Sequence, residues 1–528
     1  ITGAQVGAAS GHEPAGPAAP AGSWVGSGVE LAGRLSEAGG RRGEVAGRPV
    51  EKSVAVLAFA NLSRDAENEY FSDGISEELL NLLGRIPGVR VAARTSAFYF
   101  KGRNATIREI AATLGVAHVV EGSVRKFGSR VRISAKLINA ADGFQLWSDS
   151  FDRELQDIFA LQDEIAALIA QSLQPRLVHG ARITRAVDPE AHRLVLEGRH
   201  FWAVRTEAGF ARAQKLFESA LQVAPNFADA HAGLAMVWAV RAWYDSIGYS
   251  VASLDELQHA AAEARKAIEG DPSLPDGHAA AGVVAFLTRR WPEAQQCYRE
   301  AVRVNPNFAV ALQWHSHLLC ARGHLDQALR TLERSVALDP LARTTLMIYA
   351  YQLNFARRYV DALAAADRAA ALHGDTYAAV EGPRALALWS LGRVAEALAA
   401  ARVVTRETSW STRWWAGEEA LFVLCRAGAL EEAREQQHRW QAELPRGAPA
   451  NGPLLHAIGR FEEALPYLEQ LPPASYSRLH YHEIWDDVRE DPRFQQLLGR
   501  LGCEAEYRAG RETLSRMLHV ATDGSGAA

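Results

Sequence analysis

Four groups of residues have the types and spacing that chemistry requires. His315 and His317 form one His-x-His pair, and His480 and His482 form another. On a helix, residues two apart lean toward different faces, so each pair reads as ordinary polar or packed histidines rather than joint metal ligands. Asp73, Glu77 and Glu78 cluster at an expected helix start, where the helix dipole stabilises carboxylates. They read as a structural cap, with a cation or nucleotide contact as the alternative. The fourth group is basic. Between Arg90 and Lys136 stand ten basic residues against Glu109 and Glu121, a local charge of +8 in a chain whose formal net charge is -5. Its centre, Arg125, Lys126, Arg130, Arg132 and Lys136, has aromatic neighbours upstream in Phe98 and Tyr99. Such a patch fits an anion, a nucleotide or a nucleic acid, and equally a solvated sheet face or one docked on an acidic surface.

Nothing else in the sequence frames a reaction. GxxxxGK[ST], GxGxxG after a strand, GxSxG and HExxH are all missing, as is a kinase-type HRD and DFG pair. The four cysteines, Cys297, Cys320, Cys425 and Cys503, form no CxxC pair, which points away from a disulfide framework or a zinc site and toward a reducing cytoplasm. The expectation is a chain with no catalytic residue, no metal and no cofactor.

The elements that carry these residues begin near position 52. Ser53 to Phe59 is a short apolar, β-branched run that reads as a buried strand. Ile75, Leu79, Leu80, Leu82 and Leu83 follow at helical spacing, with Ser72 or Asp73 as the expected cap and Pro87-Gly88 as the stop. Val89 to Ala93 reads as a second strand, and Thr106 to Leu114 as an amphipathic helix stopped at Gly115. Val131, Ile133, Ala135 and Leu137 alternate with Arg132, Ser134 and Lys136, so one face of a hairpin turning at Gly128-Ser129 is apolar and the other wet. A last helix spans about 155 to 173, closed by Pro175. The alternation implies a small α/β domain over 52–177.

These stretches resemble a family. Ser53-Val-Ala-Val-Leu-Ala-Phe, Glu69-Tyr-Phe-Ser-Asp-Gly-Ile-Ser-Glu-Glu-Leu, Ala93-Arg-Thr-Ser-Ala-Phe, Val120-Glu-Gly-Ser-Val-Arg and Leu146-Trp-Ser-Asp-Ser-Phe-Asp-Arg look like the TolB-like N-terminal domain. In relatives that domain precedes tetratricopeptide (TPR) repeats and often follows an adenylate or guanylate cyclase, a Ser/Thr kinase or a winged-helix domain. The resemblance implies a bacterial signalling protein and supplies no catalytic residue. No cyclase, kinase or winged-helix sequence precedes the domain here.

From about Pro189 a fixed period takes over. Pro272, Pro306 and Pro340 stand 34 residues apart, and His373-Gly374 falls one period further. Ala260, Ala294, Ala328 and Ala362 keep the same 34-residue beat. Small residues let paired helices approach and proline stops the second helix of each unit, which is the TPR pattern. Ala213 and Pro225 precede their counterparts by 47 residues, so about thirteen extra residues are expected near Trp243 to Asp255. Ala397, Ala433 and Phe461-Glu-Glu-Ala464 extend the count to six to eight repeats over 191–475. Trp202, Trp238, Trp243, Trp314, Trp389, Trp414 and Trp415 lie in this region. Core packing is the reading for most, with Trp243 and Trp414-Trp415 as the expected exposed exceptions.

The remaining segments are read from composition. Residues 1–50 are rich in Ala, Gly and Pro and read as a disordered linker or tail, 178–190 as a linker, 476–519 as helices capping the solenoid, and 520–528 as a disordered tail. Hydrophobic residues make up 48% and charged residues 23% of the chain, with no apolar run of about 18 that would span a membrane. The fold class expected is a small α/β domain followed by an all-α TPR superhelix. The function expected is a non-enzymatic cytoplasmic scaffold that binds protein partners, as peptides or helices, in the TPR groove. The alternatives are the regulatory portion of a cyclase or kinase, and anion or nucleic-acid binding by the basic hairpin.

Overall fold

The computed structural model describes residues 50–63, 69–154, 158–173, 188–247, 254–372, 378–406, 410–443 and 452–523. The expectations for most of residues 1–50, for Pro175, most of 178–190, His373-Gly374, residues 524–528 and the side chains of Trp414 and Trp415 lie outside them.

The N-terminal unit is built on one sheet. Strands β1 (Val50–Val56), β2 (Ala60–Asn61), β3 (Arg90–Val91), β4 (Val116–Phe127), β5 (Arg130–Asn139) and β6 (Gln145–Glu154) are arranged β3-β1-β4-β5-β6, with β2 also on β4. The β1 pairings are parallel and the β4-β5-β6 pairings antiparallel. Helices α1 (Glu69–Gly84) and α4 (Ile158–Leu173) cover one face, burying Phe71, Ile75, Leu79 and Leu83 with Ile165 and Ile169 on Val54, Val56, Val120 and Ile133. The short helix α2 (Arg94–Phe98) follows β3, and α3 (Ile107–Leu114) lies on the other face, closed by a Thr106/Glu109 capping box and a left-handed Gly115. The alternation in β5 is as its sequence implies, with Val131, Ile133, Ala135 and Leu137 all 2% exposed or less.

Two local expectations are corrected here. Helix α1 begins at Glu69, so Ser72 and Asp73 are interior residues and cap nothing. The segment 89–93 forms a strand only at Arg90–Val91. Helix α1 also carries a glycine in its interior, Gly74, where a Cβ would stand 2.8 Å from a methyl of Leu196. Glycine is what allows the next domain to approach.

Among the described residues, 189–468 form eight helix pairs: α5 (Pro189–Ala203) with α6 (Glu207–Val223), α7 (Ala228–Ile247) with α8 (Leu254–Gly270), α9 (Pro275–Leu287) with α10 (Trp291–Val304), α11 (Ala309–Ala321) with α12 (Leu325–Leu338), α13 (Arg343–Phe355) with α14 (Tyr359–Ala371), α15 (Ala378–Ser390) with α16 (Val394–Thr405), α17 (Trp410–Arg426) with α18 (Leu430–Ala442), and α19 (Gly452–Ala457) with α20 (Phe461–Leu468). Ala213, Ala260, Ala294, Ala328, Ala362, Ala397, Ala433 and Ala464 mark the eight second helices, and each is 0% exposed. A larger side chain there would force the pair apart. The turn inside a repeat needs a left-handed residue, supplied by Gly323, Gly392, Gly428 and Gly459, but by Arg205, Arg289 and Arg357 in three repeats. Residues 248–253 of the expected insertion lie outside the described residues, and part of the extra length of the second repeat lies in its first helix, which is 20 residues long. Trp243 there is 5% exposed, between Phe286 and His317, which corrects its expected exposure.

The two units dock through the turns that mark the repeats. Asn307, just after Pro306, donates from Nδ2 to the carbonyls of Gly84 and Val89 and accepts from the Val91 amide at 3.0 Å. Asp339, just before Pro340, accepts from the Ser96 amide at 3.0 Å and from the Ser96 hydroxyl at 2.5 Å. Arg199 on α5 bridges Glu78 of α1 and Asp229 of α7.

Beyond the eighth pair, α21 (Tyr476–Tyr481), a 3-10 turn at Glu483–Val488, α22 (Pro492–Leu501) and α23 (Glu504–Asp523) complete the described chain. Helix α23 runs on to Asp523, into the tail expected to be disordered. The segment 476–519 does not simply sit on the end of the stack. The turn Pro473–Ser475 that leads into it reaches the second, third and fourth repeats, Tyr476–Tyr481 and α23 pack on the fourth, and Leu501 meets Arg289 of the third.

Candidate functional site: the inner groove

First helices line the inner face of a TPR superhelix, and here a stretch of about thirteen residues touches seven of them. The turn Pro473–Ser475 rests on α7, α9 and α11. Arg478 lies over the Tyr351 ring of α13 at 5.3 Å, and Phe355 stacks on Tyr481. Glu483 accepts from Ser390 of α15, and the Ile484 carbonyl is 2.8 Å from His456 Nε2 on α19. Trp485 stacks on the His456 ring with centroids 4.1 Å apart. The seventh helix, α17, meets Arg478 through two glutamates. Seven helices reach one short segment only if they surround it. The groove of this solenoid is filled by its own chain.

The segment is seated as firmly as a core. Tyr476, Leu479, His480, Tyr481, His482 and Trp485 are all 1% exposed or less. Two of the left-handed arginines hold its flanks. Arg289 donates to the Leu501 carbonyl at 2.7 Å and to the Tyr476 hydroxyl, and Arg357 pairs with Asp486 at 3.0 Å.

At the centre lies a charged cluster in a dry setting. Glu418 and Glu419 on α17 are both 0% exposed. Arg478 Nη1 donates to Glu418 Oε2 at 2.6 Å and to Glu419 Oε1 at 2.9 Å, and His482 Nε2 lies 3.0 Å from the same Glu419 oxygen. Burial pushes the Glu419 carboxyl up, but the Arg478 guanidinium and the His482 imidazole outweigh it and hold it below its ordinary value. Glu419 Oε2 accepts no hydrogen bond from the described residues. The cluster can bind a cationic, planar donor. It shows no nucleophile beside a base.

The histidine pairs do not converge. His315 faces Tyr298 and His317 faces Trp243, while His480 faces Tyr507 and His482 faces Glu419. Among the described residues no group of three or more His, Cys, Asp or Glu side chains is placed to hold a metal ion. Asp73, Glu77 and Glu78 point at basic side chains rather than capping a helix: Asp73 at Lys101 and the His200 ring, Glu77 at Arg94, and Glu78 at Arg199.

The basic stretch is divided. Arg125, Arg132 and Asp152 align across the sheet, with Arg130 two residues further along β5. Arg130 and Arg132 both bind Asp152, at 2.7 and 2.8 Å, and Lys136 binds Glu121 at 2.5 Å. Lys126 points to the opposite face, over the Phe71 ring. Carboxylates of β4 and β6 thus pair three of the five central basic residues. Composition within one stretch cannot show this, because Asp152 arrives from another strand.

Glu418 and Glu419 went unmarked in the sequence reading, and so did Arg478. One signal was available: two adjacent glutamates stand directly before the apolar run Ala420-Leu-Phe-Val-Leu, where a buried helix would be expected to stay apolar.

No family model matches the chain. Over 252 residues it is 37% identical to a protein of Rhizobium meliloti (strain 1021) named "Putative adenylate cyclase 3", a stretch covering 47% of this chain and 42% of that protein. The match therefore spans less than half of that relative's length. Among solved structures, the chain is 20% identical to PilF of Pseudomonas aeruginosa, with a TM-score of 0.33 over 43% of this chain and 97% of that one. It is 19% identical to TTC0263, a thermophilic TPR protein of Thermus thermophilus, with a TM-score of 0.30 over 40% of this chain and 99% of that one. The helix-pair architecture rests on the repeats themselves. No helix among the described residues is long and apolar enough to cross a membrane.

Proposed function

We propose that this chain is a non-enzymatic protein-interaction and regulatory unit of a bacterial signalling system. In this reading a TolB-like domain is fixed to a TPR solenoid that engages protein partners in the cytoplasm. The observation that carries it is the inner groove, whose seven first helices grip a peptide segment through buried aromatic and charged side chains, here the chain's own. Recognition of a helical or turn segment is the work such a surface performs. Catalysis would need a nucleophile, a base or a bound group, and neither the motifs nor the cluster at Glu418 points to one.

A second reading has one specific support. The 37% identity to a protein named as a putative adenylate cyclase favours a regulatory portion of a cyclase. The basic hairpin, with Arg130, Arg132 and Lys136 paired to carboxylates, supports nucleic-acid binding least. The test is chemical cross-linking of the full chain in its native cells, followed by repetition with purified candidates. A partner cross-linked to the solenoid, with no cyclic nucleotide formed from ATP or GTP by the chain alone, is the expected result. Turnover of either nucleotide by the purified chain would refute the scaffold reading.

A further inference from the structure

The sheet of the N-terminal unit has two ends, and they are treated differently. At β3 the Val91 amide is taken by Asn307 of the solenoid. At the other end stands β6, and among the described residues no strand pairs with its outer side. Edge strands are usually kept short, or broken by proline, lysine or a bulge. Strand β6 runs for 10 residues without proline or lysine, and its register shift lies near its start, opposite Leu137 and Ile138. From Ser148 to Glu154 the edge is regular.

The ladder determines which groups that edge presents. The Ala140 amide donates to the Ala117 carbonyl of β4, so alternate residues of β5 back to Arg130 turn their main chain toward β4. Val131, Ile133 and Ala135 turn theirs toward β6, onto Arg153, Phe151 and Asp149. The amides and carbonyls of Ser148, Ser150, Asp152 and Glu154 therefore face outward. Two of them are taken by side chains of β6 itself. Asp149 Oδ1 accepts from the Ser150 amide at 2.7 Å, and Arg153 Nη1 donates to the Asp152 carbonyl at 3.2 Å. Asp149 is exposed, and the Arg153 side chain, 3.5 Å from Glu164, is 45% exposed, so both caps stand at the surface.

We propose that this edge docks a second copy of the chain, antiparallel, extending the sheet across a two-fold axis at Phe151. Charge complementarity sets both the partner and the register. With Phe151 opposite its own copy, Asp149 stands opposite the partner's Arg153, and Arg153 opposite the partner's Asp149. Two attractive cross-strand pairs form on one face. On the other face Ser148 meets the partner's Glu154 and Ser150 the partner's Asp152, a hydroxyl donor for each carboxylate. An axis at Asp149 or at Arg153 would instead oppose like charges. The two side chains that cap the lone edge become the pairs that hold the docked one. So short a contact falls at the transient end of interfaces, and the dimer is expected to depend on concentration. The proposal goes beyond the scaffold reading and leaves the groove of the solenoid untouched.

The test is sedimentation of the full chain over a range of concentrations, with amide exchange read alongside. The unmodified chain is expected to dimerise as concentration rises, and exchange over 148–154 to slow as it does. Asp149→Arg or Arg153→Asp alone turns two attractive pairs into two repulsive ones and is expected to weaken the dimer about tenfold or more. Mixed in equal amounts, the two variants set arginine opposite aspartate at both positions, and a heterodimer close to the unmodified strength is expected. A chain monomeric up to its highest soluble concentration, a dimer that neither variant weakens, or variants that do not recover on mixing would overturn the proposal. If a variant does not fold, exchange in the unmodified chain decides, and protection that fails to reach 148–154 overturns it. Loss of the dimer with partners still cross-linked to the solenoid would remove this inference and leave the scaffold reading standing.

Discussion

Asp339 shows how a single carboxyl carries both the repeat and the docking of the two units. It closes a helix, precedes Pro340 and accepts two hydrogen bonds from Ser96 of the other unit. Burial pushes its pKa up to about 6, against the lowering effects of Ser96, Thr95 and Arg205. The folded state therefore holds a proton there that the unfolded state releases near pH 4, and stability falls as pH rises from about 4 to about 6. Asp339→Asn keeps an acceptor for Ser96 and removes the titration. The variant is expected to melt at or above the parent at pH 7.5, with the difference shifting in favour of the parent as pH falls to 5. A difference that does not change with pH would place the charge elsewhere. At this scale sequence reasoning reads the turn at Pro340, which Asp339 precedes, as a marker of the repeat. Its second role was hidden, because Ser96 lies 243 residues away.

At the scale of elements, glycine separates two constraints. Gly282 has ordinary helical backbone, but a Cβ there would lie 2.5 Å from the Tyr298 ring of the paired helix. Gly392 has a φ of 76° and open space around it. Gly282→Ala is expected to cost about 1 to 3 kcal/mol through overpacking, and Gly392→Ala about 1 to 2 kcal/mol through backbone strain. Urea unfolding of the two variants measures both, and a neutral result at Gly282 would contradict the close approach of α9 and α10. The helix pairs were legible because the 34-residue beat of Ala and Pro is local to each repeat. The boundaries of α1 were less so. Its passage through Gly74 follows from the seat of Leu196, a tertiary fact that propensity does not carry.

For the whole molecule, the decisive feature is closure. First helices of the second and seventh repeats touch, and the C-terminal segment fills the space they enclose. A chain ending at Leu471 would uncover Tyr351, Phe355 and His456 and strip Glu418 and Glu419 of Arg478. It is expected to bind a hydrophobic dye and to associate, whereas a monomer with unchanged melting would contradict the enclosure. The sequence revealed a solenoid with a groove and terminal helices. It did not reveal that the helices occupy the groove, since the pairing of 418–419 with 478 has no local signature beyond two glutamates in an apolar helix.

The central claim, that Arg478 sits between Glu418 and Glu419 inside the ring, is tested most directly by a double-mutant cycle of Arg478→Met and Glu418→Gln, read by urea unfolding of the full chain. Each change alone should destabilise by removing one side of the buried Arg478–Glu418 ion pair, and the double variant should recover part of the loss, with a coupling of about 1 kcal/mol or more. Additive effects with no coupling would mean that the two side chains do not meet, and the filled groove would be wrong.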